Sequence, residues 1–225
     1  MIKKEDFTKL LINKPLILDG ATGSNLQKVG MPRGCCTEAW ILDHPDTLVT
    51  LQRQYVASGS QVIYAPTFQA QPIALQKVGL ENKTEKINEQ LVQLSRSVSD
   101  SVLVAGNLTT LAAFTDSFDE ACFDLLVENY RRQIKGLLAG GADLLAAETL
   151  MYPTEAEAIL TAAELEGPKS CFTPLRCSRT AACFQAEMLH LSCRSWSKPV
   201  LWPLALTVWQ RMICFPAWSA VYGGM

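Results

Sequence analysis

The chain almost lacks carboxylates after Gly167. Only Glu187 remains there, whereas 21 of the 22 Asp and Glu residues precede that glycine. A solvated, folded surface rarely runs so far without negative charge, so this stretch does not read as selected protein surface. It is also where Trp196, Trp202, Trp209 and Trp218 and five of the eight cysteines (Cys171, Cys177, Cys183, Cys193, Cys214) collect. Histidine is scarce: His44 precedes Pro45 in an expected loop, and His190 lies in the anomalous stretch. No uncharged apolar run reaches the roughly 18 residues of a membrane span. No basic block or aromatic–basic interleaving appears, and the net charge is -2, which excludes nucleic acid as an expected partner. The N-terminus has no apolar h-region or small-residue cleavage site, so the expected compartment is the cytoplasm. Cysteines are normally reduced there. The eight therefore read as core filler, metal ligands or a reactive thiol rather than a disulfide frame.

What is present is a regular alternation over the first 167 residues. Leu16-Ile17-Leu18, Val62-Ile63-Tyr64-Ala65, Val102-Leu103-Val104-Ala105 and Asp143–Ala147 are short apolar runs that read as buried strands. Between them, residues 46–58 (Leu48, Leu51, Tyr55), 87–98 (Ile87, Leu91, Leu94, Val98), 119–139 (Cys122, Leu125, Leu126, Tyr130, Ile134, Leu137) and 154–165 carry helical spacing. Strands apolar throughout, alternating with helices, predict a parallel sheet covered by helices. A doubly wound sheet and a (β/α)8 barrel both fit. The pace of four to five β-α units by residue 175 is that of a barrel cut short. The expected organisation is residues 1–176 as the N-terminal part of such a barrel and 177–225 as an aberrant tail.

In either architecture chemistry sits just past the carboxyl ends of the strands. The residues there are Asp19-Gly20-Ala21-Thr22-Gly23, Pro66-Thr67-Phe68, Gly106-Asn107 and Glu148-Thr149. Two carboxylates on separate strands, one beside a glycine turn, suit an ammonium group held next to backbone N–H donors. Alternatively, Asp19 is a helix cap or turn residue and Glu148 a structural ion-pair partner. The absence of lysine at these ends argues against a Schiff-base aldolase.

Taken together, Leu16–Gly23, Tyr55-Val56-Ala57-Ser58-Gly59-Ser60, Thr67-Phe68, Gly141-Ala142-Asp143 and Ala147-Glu148-Thr149 resemble the homocysteine S-methyltransferase family in order and spacing. That family includes betaine–homocysteine methyltransferase and the homocysteine domain of cobalamin-dependent methionine synthase. The resemblance implies a zinc-dependent (β/α)8 barrel that methylates homocysteine to methionine. It assigns Asp19 and Glu148 to the substrate ammonium, Gly20 and Ala21 to backbone contacts, and Thr67 to the pocket wall. Pro66 stands where the family has Asn, and Gly106-Asn107-Leu108-Thr109 where it has a Gly-Pro turn. The implied partners are homocysteine and a methyl donor, which could be S-methylmethionine, S-adenosylmethionine, betaine or methylcobalamin on a corrinoid protein or domain. Zinc would deprotonate the substrate thiol, which at neutral pH is only a few per cent thiolate.

The family's zinc motifs, Gly-Ile/Val-Asn-Cys and Gly-Gly-Cys-Cys-Gly, are absent in frame. Arg33-Gly34-Cys35-Cys36 imitates the second but lies after the first strand, where a loop or helix-start pair is the simpler reading. Re-reading Arg179–Glu187 one base earlier permits Pro-Asp-Gly-Ser-Leu-Phe-Ser-Gly-Gly, and the same shift over Leu204–Val208 permits Gly-Ile-Asn-Cys. The sequence therefore predicts a frame change near Cys177–Arg179. The chain as written is expected to be inactive, without zinc ligands, or a non-catalytic fragment that retains weak amino-acid binding.

Overall fold

A computed structural model of the chain describes residues 6, 9–10, 16–115, 122–167, 172–174 and 212–213. Strand β1 is Leu16–Ile17, and helices α1 (Gly23–Lys28), α2 (Thr37–Asp43) and α3 (Pro45–Ala57) follow it. Strand β2 (Val62–Ala65) leads to the short α4 (Pro72–Leu75), two 3₁₀ turns and α5 (Thr84–Arg96). Then come β3 (Leu103–Thr109), α6 (Phe123–Ala139), β4 (Leu144–Glu148), α7 (Pro153–Glu166), β5 (Phe172–Pro174) and β6 (Met212–Ile213).

Strands β2-β3-β4-β5 form a four-stranded sheet, parallel throughout. An isolated parallel bridge from Leu18 to Val62 brings β1 to the free edge of β2, and β6 pairs parallel with β1. The predicted β-α alternation is therefore present as a parallel sheet with helices. Of the tail beyond residue 176, only β6 lies within the described residues. Trp196, Trp202, Trp209 and Trp218 lie outside them.

Side-chain alternation explains why both faces of the strands are apolar. Ile63, Ala65, Val104, Leu108, Leu145 and Ala147 join the large core that α5, α6 and α7 cover. The alternate residues, Leu16, Leu18, Val62, Ala105, Leu144 and Ala146, form a second cluster with Tyr64 and Leu103 packed on it. Successive strand residues point to opposite faces, so the parity of a position fixes which cluster it meets. A third cluster, with Leu26, Ile41, Leu48, Leu75 and Leu91, seals α1–α3 against α5.

Close helix packing rests on glycine. A Cβ on Gly136 would lie 2.4 Å from the Glu85 carbonyl oxygen, and one on Gly140 would lie 2.6 Å from Val92 Cβ. Gly136 on α6 and Gly140 at its C-cap, one turn apart, let α5 approach nearer than a side chain there would permit.

Three sequence expectations need correction. Helix α6 begins at Phe123, and Cys122 is its half-buried N-cap rather than a residue of the apolar face. Leu125 is 56% exposed because the buried stripe runs through Leu126, Tyr130, Gln133 and Leu137. Strand β3 continues to Thr109, held by pairing of Thr109 with Glu148. Gly106 and Asn107 thus lie within a strand and not past its end. The short helices α1, α2 and α4 carry too few turns for periodicity to reveal.

Candidate functional site

Asn107 shares parity with Leu103 and Ala105, and Glu148 with Leu144 and Ala146. Both therefore belong to the face turned away from α5–α7. Asp19 follows β1 at the same end of the layer, with its backbone N–H donating to the Val62 carbonyl at 3.0 Å. The fold thus gathers Asp19, Asn107 and Glu148 from three strands.

Asp19 is 6% exposed. Its Oδ2 accepts the Tyr64 N–H at 3.0 Å, while Oδ1 is buried without a partner. Loss of water pushes its carboxyl from 3.8 up to about 7, and the charge of Glu148 adds to the rise, against the lowering effect of the Tyr64 N–H. Two carboxylates therefore feel one another in a setting where one acceptor oxygen lacks a donor. A cationic donor would satisfy both conditions.

Glu148, partly exposed at the last position of β4, accepts a hydrogen bond from Asn107 Nδ2 at 2.9 Å. Thr149, directly after it, has φ 58°, a left-handed conformation that a β-branched residue adopts at a cost of about 1–3 kcal/mol. The turn is held by Glu155, which is fully buried in the first turn of α7. Its carboxylate accepts the backbone N–H groups of Met151 (3.1 Å), Tyr152 (3.2 Å) and Leu111 (2.6 Å) and the hydroxyls of Thr110 and Tyr130. One side chain thereby fixes the exits of β3 and β4.

Gly20 leaves room for the Tyr55 ring, because a Cβ there would sit 2.9 Å from Tyr55 Cε1. The Ala21 carbonyl accepts the Tyr55 hydroxyl at 2.7 Å and Asn25 Nδ2 at 2.8 Å. The glycine turn is thus anchored to α3 and α1. Thr67 is wholly buried. Its hydroxyl donates to the Asn107 carbonyl at 2.9 Å and accepts the Asn107 N–H at 3.0 Å. Sequence reasoning missed the parts played by Asn107, Tyr55 and Glu155. Asn107 was visible as a strand-end residue and as a departure from a motif, and Glu155 as one acid among many on a helix.

Among the described residues no three His, Cys, Asp or Glu side chains converge as a metal site. Cys36 Sγ donates to Glu38 at 3.6 Å, and burial, with the Glu38 charge, pushes its thiol up. That stabilises the protonated form, the opposite of a thiolate ligand. Cys35 and Cys36 do not fit the implied zinc, because no third His, Cys, Asp or Glu side chain among the described residues gathers with them. Cys171, Cys177, Cys183, Cys193, Cys214 and His190 lie outside the described residues. A separate surface crevice is lined by Glu85, Glu128, Arg131, Arg132, Lys135 and Glu166 on the outer helices. Its charges largely answer one another, as in the Arg132–Glu85 pair at 2.7 Å. No helix among the described residues is long and apolar enough to cross a membrane.

Residues 16–193 match the family model described as homocysteine S-methyltransferase. The matched span runs in the printed frame beyond residue 176. Among solved structures, the metallated form of the homocysteine methyltransferase MmuM from Escherichia coli aligns with TM-score 0.65 and 24% identity, covering 73% of this chain and 63% of that one. The oxidised form of the same enzyme gives TM-score 0.63 at 24% identity, covering 72% and 62%. The chain thus spans less than two thirds of these structures. At that identity the likeness speaks for the fold.

Proposed function

Because the chain belongs to the homocysteine S-methyltransferase family, we propose that Asp19 and Glu148 bind the ammonium group of homocysteine, the thiol acceptor in methyl transfer that yields methionine. The carrying observation is the unpartnered Asp19 Oδ1 within the field of Glu148, at the ends of two strands that β2 and β3 separate. An ammonium supplies the missing donor and offsets the repulsion between two acids. The anchored Gly20-Ala21 turn, next to Asp19, places its backbone to take part in holding the amino acid.

On this reading, the sheet is the first part of a (β/α)8 barrel in the cytoplasm. The sulfur chemistry belongs to a zinc that the described cysteines do not fit, so these residues bind and orient the amino acid and do not activate its thiol. The donor is any of those named above, a corrinoid carrier included. The reading also expects a change of reading frame near Cys177–Arg179, against which the family match in the printed frame runs on to residue 193. The nucleotide sequence across codons 170–225 tests it, and an intact printed frame refutes it. The chain as written then binds amino acid without turning over, which makes it a non-catalytic fragment.

Calorimetric titration of the full chain with homocysteine, alongside metal analysis and a methylation assay with and without chelator, tests both parts. Binding that Asp19→Asn and Glu148→Gln each abolish, with no turnover, supports the reading. Turnover unaffected by chelator overturns it.

A further inference from the structure

Asn107 is a buried polar side chain, 6% exposed, that ammonium binding by Asp19 and Glu148 leaves unexplained. Its backbone is clamped from two directions. The N–H donates to Thr67 Oγ1 at 3.0 Å, and the carbonyl accepts Thr67 Oγ1 at 2.9 Å and Gln133 Nε2 from α6 at 3.3 Å. Gln133 Nε2 also donates to the Thr67 carbonyl at 2.7 Å, which joins the exits of β2 and β3 in one network. From this rigid base Asn107 Nδ2 donates to Glu148 Oε1 at 2.9 Å.

We propose that Asn107 is a positioning residue that holds Glu148 in place for the ligand ammonium, and that Thr67 acts through Asn107 rather than on the ligand. This rests on the reading that Asp19 and Glu148 take that ammonium. A hydroxyl has one hydrogen to give, and that of Thr67 is directed to the Asn107 peptide. It has none left for substrate. An amide donor aimed at one carboxylate oxygen restricts the rotamers of Glu148. The Asn107 amide carbonyl, buried without a partner, stands beside that contact as a further acceptor for a donor-rich cation.

The test is isothermal titration of the full-length chain with homocysteine and with 4-mercaptobutanoate, which keeps the thiol and carboxylate but lacks the amine. Asn107→Ala should weaken homocysteine binding about tenfold, the scale of a lost hydrogen bond to a charged group, and leave the amine-free acid unchanged. Thr67→Val should weaken homocysteine in the same selective way, and Thr67→Ser should restore it. A structural defect alone would lower both ligands together. Equal loss for both ligands, or unchanged homocysteine binding in Asn107→Ala, overturns the proposal. If circular dichroism shows that Asn107→Ala is unfolded, the Thr67→Val and Thr67→Ser pair decides by the same criteria. Glu148→Gln separates the two ideas. Loss of homocysteine binding in Glu148→Gln with Asn107→Ala intact refutes only the positioning role. Wild-type chain that binds no homocysteine, or Glu148→Gln that binds it normally, refutes both.

Discussion

Asp19 and Glu155 are both buried acids, 6% and 0% exposed, yet their surroundings are opposite. Glu155 collects three backbone N–H groups and two hydroxyls. Asp19 collects one N–H on Oδ2, keeps Oδ1 without a donor, and faces a second acid. The first region is complete within the protein, as a structural carboxylate should be. The second keeps an acceptor oxygen that no described protein group satisfies. Burial alone therefore does not identify a functional acid. What separates these two is the acceptor oxygen that Asp19 keeps without a donor.

The sharpest way to break that contrast is Glu155→Ala. It strands the N–H groups of Leu111, Met151 and Tyr152, and urea denaturation should show a loss of roughly 3–5 kcal/mol. A loss below about 1 kcal/mol would show that water replaces Glu155 and that the region is not complete in itself.

Asp19→Asn should act in the other direction. With its carboxyl moved from 3.8 up to about 7, the folded chain binds more protons than the unfolded chain across that window. Stability is therefore greatest on the acid side, falls as pH rises through the window, and is flat above about pH 7. At pH 8 Asp19→Asn should be more stable than wild type by roughly 2–4 kcal/mol, as thermal or urea unfolding against pH would show, and should lose that slope. A wild-type profile flat from pH 4 to 8 would remove the basis for calling this site incomplete.

Gly136→Ala probes the packed helical layer away from both acids. Its Cβ meets the Glu85 carbonyl oxygen at 2.4 Å, so overpacking should destabilise the chain by about 1–3 kcal/mol without changing the pH slope. The smallest effect lies at the junction of the two regions. Thr149→Gly relieves a left-handed φ and should stabilise the chain by about 1 kcal/mol, while freeing Glu148 and lowering homocysteine affinity in the same titration.

Much of this was legible along the chain. The apolar runs at Leu16–Leu18 and Val62–Ala65 became strands because uninterrupted β-branched and aliphatic residues suit a sheet buried on both faces. Asp19 and Glu148 were singled out because strand ends are where a parallel α/β layer exposes side chains. Thr67 was foreseen at the site but as a ligand contact, whereas its hydroxyl is directed to the Asn107 backbone. No local pattern reveals a hydrogen bond between residues 40 positions apart.

Periodicity, turn residues and spacing, which are properties of neighbouring positions, determined the alternation of strands and helices and the glycine turn after β1, while a resemblance of motifs pointed to the family and to the two carboxylates. The tertiary structure decided the rest: that Gly136 and Gly140 admit α5, that Glu155 is satisfied while Asp19 is not, and that Asn107 rather than Thr67 touches Glu148. Those outcomes depend on which distant groups share a face after the strands are aligned, and on how much water that alignment expels.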